Sequence, residues 1–232
     1  MPHFFLKLIY LFKHEANREI FYKFIVFQIF KPFSNYKRSK KKNIFKNYVL
    51  NKRITHNFFS TNAYDWLRII DGNIKYYLEI GAFEGLSLLF VDQNFKPIKI
   101  HAVDTWKGSN EHGSETTFSK VWNNYLYNTN QLKNLENFKM SSDTFFEKKR
   151  QKYDLIYIDG LHKRKQVEKD LLNSLKLCHE QTIIIMDDFF WKFDQKFTED
   201  LPISAIVPII KKFKIKIIGV TNNQIFLKHG SK

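Results

Sequence analysis

At 232 residues, 44% apolar and 26% charged, the chain is too short for two large domains and too apolar to stay disordered, which leaves one folded domain with an appendage. Its single cysteine excludes an internal disulfide and suits a reducing compartment. The formal charge of +15 suggests polyanion binding until it is divided: residues 1–53 hold 13 Lys and Arg against Glu15 and Glu19, a net of +11, and the remainder carries +4.

The basic N-terminal segment opens with two apolar runs, Phe4–Phe12 and Ile20–Phe30, each interrupted by lysine and too short to cross a bilayer. Neither is followed by a small-residue cleavage site, so no transmembrane helix and no signal peptide are expected, and the location expected is cytoplasmic. Aromatic residues mixed with Lys7, Lys13, Lys23 and Lys31, ahead of the lysine-rich stretch 37–42, suit helices resting on an anionic membrane at its inner face. Helices simply packed on the domain are the alternative. The polar stretch Tyr36–Arg53 marks the boundary, giving a helical basic extension over 1–53 and a domain over 54–232.

From about residue 74, β-rich runs alternate with helical stretches, the pattern of an α/β fold with a mainly parallel sheet and helices on both faces. The predicted strands are Lys75–Ile80, Ile98–Val103, Phe138–Ser141, Tyr153–Ile158, Thr182–Met186, Lys214–Val220 and Gln224–Leu227. Between Lys163 and Leu177, Val167, Leu171, Leu172 and Leu175 share one helical face, and Cys178 reads as a small buried residue of the same helical stretch. Thr221, Asn222 and Asn223 predict a tight hairpin, asparagine tolerating positive φ, so the last strand is reversed. A nicotinamide-binding sheet has no such reversal.

Open parallel sheets bind ligands beyond the carboxyl ends of their strands. There the first strand gives Y-L-E-I-G-A-F-E-G-L-S, in which Glu79 ends the strand, Gly81 permits a sharp turn and Gly85 lets the next helix approach a ligand. This is not the G-x-G-x-x-G of a dinucleotide site. The second strand ends in H-A-V-D-T-W, placing Asp104 to accept ribose hydroxyls or to cap a loop, and Trp106 to pack on adenine. Ser141, Ser142 and Asp143 suit an adenine edge or a helix N-cap equally. Asp159, His162, Asp187 and Asp188 emerge on one edge, where three carboxylates suit Mg²⁺ or a similar cation. Asn110, Glu111, His112 and Trp191 are candidate substrate contacts or ordinary loop residues.

E-I-G-A-F-E-G, V-D-T-W, Y-I-D-G-L-H and M-D-D-F, in order and each after a strand, resemble the class I S-adenosylmethionine-dependent methyltransferases over about residues 74–228. Within them the resemblance is to the group related to metal-dependent small-molecule and sugar O-methyltransferases. It implies a Rossmann-like seven-stranded sheet, with Glu79, Gly81 and Gly85 bordering the methionine part of S-adenosylmethionine and Asp104 holding its ribose. Ala82, Phe83, Ser87, Thr105, Trp106, Ser142, Asp143 and Asp159 complete the implied cofactor contacts, Phe83 standing where many members have glycine. Asp159, Asp187 and Asp188 match the metal-binding acids, and His162, with Asp159 the implied catalytic pair, matches the base.

The implied activity is methyl transfer to a hydroxyl of a small molecule, such as a sugar or glycan precursor, assisted by a divalent cation. Two alternatives stay open: an RNA methyltransferase using the basic arm on phosphates, and a non-catalytic methyltransferase-like tether. A homo-oligomer is compatible with each. Because its charge is segregated from the motifs, the segment 1–53 is expected to be dispensable for cofactor binding.

Overall fold

A computed structural model describes residues 3–108, 115–192 and 200–229, the side chains of 32–43 and 115–117 excepted. The chain begins with α1 (His3–Lys13) and α2 (Arg18–Tyr48). Between them Glu15 adopts a left-handed φ of 50° and Asn17 caps α2 by accepting from the Ile20 amide at 2.9 Å. Then follow α3 (Ser60–Ile69), β1 (Tyr76–Ile80), α4 (Leu86–Phe95), β2 (Lys99–Asp104), α5 (Glu115–Thr129), β3 (Leu135–Lys139), α6 (Ser142–Lys148), β4 (Tyr153–Ile158), α7 (Arg164–Lys176), β5 (Cys178–Met186), α8 (Pro202–Phe213), β6 (Lys216–Val220) and β7 (Ile225–Lys228).

The strands form one seven-stranded sheet in the order β3-β2-β1-β4-β5-β7-β6. β1 to β5 pair in parallel, and β7 runs antiparallel to both β5 and β6. The reversed last strand is therefore as the sequence predicts. Alternate residues face opposite cores: Leu78, Ile156, Ile184 and Leu227 on one side, Tyr77, Leu155, Ile183 and Phe226 on the other. The carboxyl ends of β1, β2, β4 and β5 share one edge, and the β6–β7 turn closes beside it.

Three local expectations are corrected. The third strand is Leu135–Lys139, because the Ser141 hydroxyl already caps α6, accepting from the Thr144 amide at 3.3 Å. Cys178 starts β5 instead of ending a helix, buried with its thiol donating to the Ser174 carbonyl at 3.2 Å. The hairpin does not put Asn222 or Asn223 at positive φ; it spans Thr221–Gln224, closed by the Thr221 amide on the Gln224 carbonyl at 2.8 Å, with the Thr221 hydroxyl accepting from the amides of Asn223 and Gln224.

The first two helices join the same packing as the sheet. Leu11, Ile20 and Phe24 are fully buried in the core that holds Ile184 and Leu227, while Phe45, near the other end of α2, is buried in the opposite core. Between these anchors α2 packs against β6, the edge strand, and so covers an edge that would otherwise be open to pairing with another chain. Beyond α2, Asn128 holds the backbone of Arg53, and Glu84 accepts from the amide of Thr55 at 2.6 Å and its hydroxyl at 2.8 Å. Among the described residues no helix is long and apolar enough to cross a membrane.

Candidate active site

β1 delivers the chain into Gly81, whose φ of 91° turns it sharply and whose amide donates to the Val103 carbonyl at 2.8 Å. Gly85, with φ 81°, caps α4, and a β-carbon there would meet Thr129 at 2.8 Å. The close packing of α4 on α5 by itself requires glycine there. Glu79 is fully buried, accepting from the Tyr77 hydroxyl at 2.6 Å and from the Ser87 hydroxyl. Burial pushes its carboxyl up to about 8, against those hydrogen bonds. Glu79 and Ser87 thus brace the turn from beneath. Ala82 is buried above them, and half-buried Phe83 meets Phe58 at 5.7 Å between ring centroids.

Asp104 closes β2 with its carboxylate accepting from the amides of Phe83 at 3.0 Å and Trp106 at 2.7 Å, so it ties the glycine turn to the second strand. Burial raises its pKa and these amides oppose the rise. Trp106 differs from the sequence expectation: it is 4% exposed, its ring 4.5 Å from both Trp122 and Tyr125, and its indole donates to the Phe83 carbonyl. An aromatic group so enclosed belongs to the core instead of offering a face to adenine. The Thr105 hydroxyl accepts from the Lys107 amide at 3.2 Å. Ser142 and Asp143 both accept from the Gln166 side chain, and Asp143 pairs with Lys169 at 3.0 Å, tying α6 to α7.

The acidic edge lies next to the turn. Asp159 follows β4, Asp187 and Asp188 follow β5, and Asp188 takes a left-handed φ of 52° that brings its carboxylate to 2.6 Å from His162 Nε2. The His162 ring stacks on Trp191 at 4.5 Å. Asp159, His162 and Asp188 each offer a ligand atom within 4.8 Å of the others. Asp187 does not join this set, contrary to the sequence expectation. Its oxygens accept from the Tyr157 hydroxyl, from the Gln224 amide at 2.9 Å and from the Asp188 backbone at 2.8 Å. Burial and the neighbouring carboxylates push Asp159 and Asp187 up together, a repulsion that a cation would relieve. Phe83, Trp106 and Asp188, all at strand ends of this edge, share left-handed backbones, the strained conformation that clusters at functional sites.

The residues that set this geometry carry little signal in the sequence. Tyr157 points its buried phenol at both Asp159, 2.9 Å away, and Asp187, with one proton to share between them. Gln224 links Asp187 to the Trp66 indole, which donates to it at 2.8 Å. Glu84, inside the glycine motif, accepts from Asn124 and Thr55 and anchors the loop instead of meeting a ligand. Only the two-residue spacing of Tyr157 and Asp159 along one strand face was a readable signal. Asn110, Glu111 and His112 lie outside the described residues.

Residues 78–189 match the family model of a methyltransferase domain. No curated protein matches the sequence. Among solved structures, a candidate O-methyltransferase from Klebsiella pneumoniae superposes with a TM-score of 0.58 at 13% identity, over 89% of this chain and 100% of that one. The O-methyltransferase from Bacillus cereus, solved with S-adenosylhomocysteine, gives 0.54 at 13% identity over 90% and 99%. TomG from Streptomyces achromogenes, an O-methyltransferase of tomaymycin synthesis solved with S-adenosylmethionine, gives 0.50 at 13% over 68% and 74%. Residues 78–189 thus resemble a methyltransferase domain, and the chain shares the fold of these O-methyltransferases.

Proposed function

We propose that the chain transfers the methyl group of S-adenosylmethionine to a hydroxyl of a small molecule, a sugar or glycan precursor being the class favoured, with a divalent cation at the acidic edge. The observation that carries this reading is the meeting of Asp159, His162 and Asp188 directly against the Gly81 turn, whose α-carbon abuts the Asp159 backbone. Donor and acceptor chemistry would thus share one edge.

The residues fit the cofactor in a specific way. Asp104, fixed by two backbone amides, is an acceptor oriented for ribose hydroxyls, while Glu79, Ser87 and the two glycines keep the turn in shape. The cofactor supplies a sulfonium-activated methyl, so the protein has to align the acceptor oxygen and remove its proton. Asp159 and Asp188 would hold the cation, whose contribution is to acidify the acceptor hydroxyl. His162 would take the proton, and Asp188 at 2.6 Å favours the positive charge the ring then carries.

The test is methyl transfer to a panel of sugars and other hydroxyl compounds, read by mass spectrometry before and after chelation and Mg²⁺ return. Transfer that stops on chelation and resumes with Mg²⁺ supports the reading; full turnover after exhaustive chelation removes the cation from it. His162→Ala is expected to slow transfer by roughly 10²–10⁴-fold with cation affinity unchanged. A loss of cation affinity would make His162 a ligand instead of the base.

A further inference from the structure

The inner faces of α1 and α2 are spent on the core, yet their outer faces are apolar as well. On α1, Phe5, Ile9 and Phe12 are 52%, 44% and 78% exposed, and their spacing places them on a single stripe. On α2, Tyr22, Ile25 and Ile29 are 63%, 38% and 56% exposed, again at helical spacing on the side away from buried Ile20, Phe24 and Phe27. Phe4 stacks on Phe24 at 5.8 Å, which holds the two helices together as a hairpin with both stripes turned outward. Exposed apolar residues aligned on two adjacent helices are unusual on a soluble surface and mark contact with something else.

Charge identifies the contact. On the hairpin Lys13, Arg18, Lys23 and Lys31 outnumber Glu15 and Glu19, and the basic stretch 37–42 follows along the same helix α2, so that the segment 1–53 carries a net +11 in a chain of +15. Apolar stripes on a helix pair with a basic excess, continued by the basic stretch of α2, match an anionic bilayer, where side chains such as Phe and Ile enter the headgroup boundary and Lys and Arg stay with the lipid phosphates. A protein partner seated on the stripes would not require the surrounding positive charge, and RNA would not require the stripes.

The hairpin also touches the acidic edge. The Tyr10 hydroxyl donates to the Trp191 carbonyl at 3.2 Å, Trp191 stacks on His162, and Lys7 donates to the Asn222 carbonyl in the β6–β7 turn. We propose that the outer face of α1 and α2 docks peripherally on an anionic membrane, Phe12, Tyr22 and Ile29 entering the lipid boundary. The active-site edge is thereby held beside the bilayer. This inference is about location and does not rest on the methyl-transfer reading.

Flotation of the full chain with vesicles of phosphatidylcholine, with and without phosphatidylglycerol, tests it. The wild type is expected to float with the anionic vesicles, less in high salt and little with the neutral ones. The combined variant Phe12→Ser, Tyr22→Ser, Ile29→Ser should bind at least tenfold more weakly with unchanged circular dichroism. Phe12→Trp gives an independent reading, since its added emission should shift to the blue on anionic vesicles and not on neutral ones. The proposal is overturned if the wild type ignores both vesicle types or if the Phe12→Trp emission does not move. A dimer that the triple variant turns into a monomer, with no flotation of either, would also overturn it and assign the stripes to a second copy.

Discussion

A β-carbon on Gly81 would stand 1.9 Å from the carbonyl oxygen of Asp159, so the turn after the first strand and the acid after the fourth are in backbone contact. No side chain fits between them, and the φ of 91° at Gly81 adds backbone strain for any other residue. Gly81→Ala should therefore destabilise the protein by roughly 3–5 kcal/mol in urea denaturation, whether or not cofactor is present. A loss under about 1 kcal/mol, within the range of an ordinary surface substitution, would mean the two backbones are not so closely packed.

The packing of the first helices changes what truncation should do. Removing residues 1–53 takes away buried Leu11, Ile20, Phe24 and Phe45 and uncovers the β6 edge, so the shortened chain is expected to aggregate or lose its cooperative thermal transition. Within the full chain, Leu11→Ala should cost about 2–5 kcal/mol, whereas Phe12→Ala, at a position 78% exposed, should stay within about 0.5 kcal/mol. Equal effects at the two neighbouring positions would count against the helix face assigned to each.

His101 gives the fold a sensitivity to acid. It lies buried in β2, its Nδ1 2.6 Å from the Tyr153 hydroxyl, and burial, aided by Lys149 and opposed by Glu136, lowers its pKa from 6.5 to about 4. The native state thus keeps His101 neutral where the unfolded chain takes up a proton. Its contribution to stability is complete above pH 6.5 and declines as pH falls toward about 4. His101→Gln, which cannot titrate, should lose less stability than the wild type between neutral pH and the lower end of that window. Parallel curves for the two proteins would contradict the assignment.

Most of the sheet was legible because its central strands are largely apolar, as Leu155–Ile158 shows, and because Gly81, Asp104 and Asp159 fall at or just after strand ends. β3 lies earlier than the sequence predicts because Leu135–Lys139 is a half-exposed edge strand with little apolar signal, whereas Phe138 and Met140 carry the apolar signal toward the cap of α6. Asp104 and Asp159 could be placed by position alone. What separates Asp187 from the cation set was not legible, since the donors that occupy it, Tyr157 and Gln224, are 30 and 37 residues away in the chain. Trp106 looked like a ligand face because the sequence does not show that Trp122 and Tyr125 enclose it.

The carboxyl edge around the Gly81 turn is expected to be the cofactor site, which calorimetric titration of S-adenosylhomocysteine into the full chain measures. Saturable binding to the wild type is expected, with a loss of about 1–3 kcal/mol in Asp104→Ala from the missing charge-assisted ribose hydrogen bonds, and near-normal affinity in Asp188→Asn, whose change lies at the acidic edge. No binding to the wild type, or equal affinity in Asp104→Ala, would contradict it.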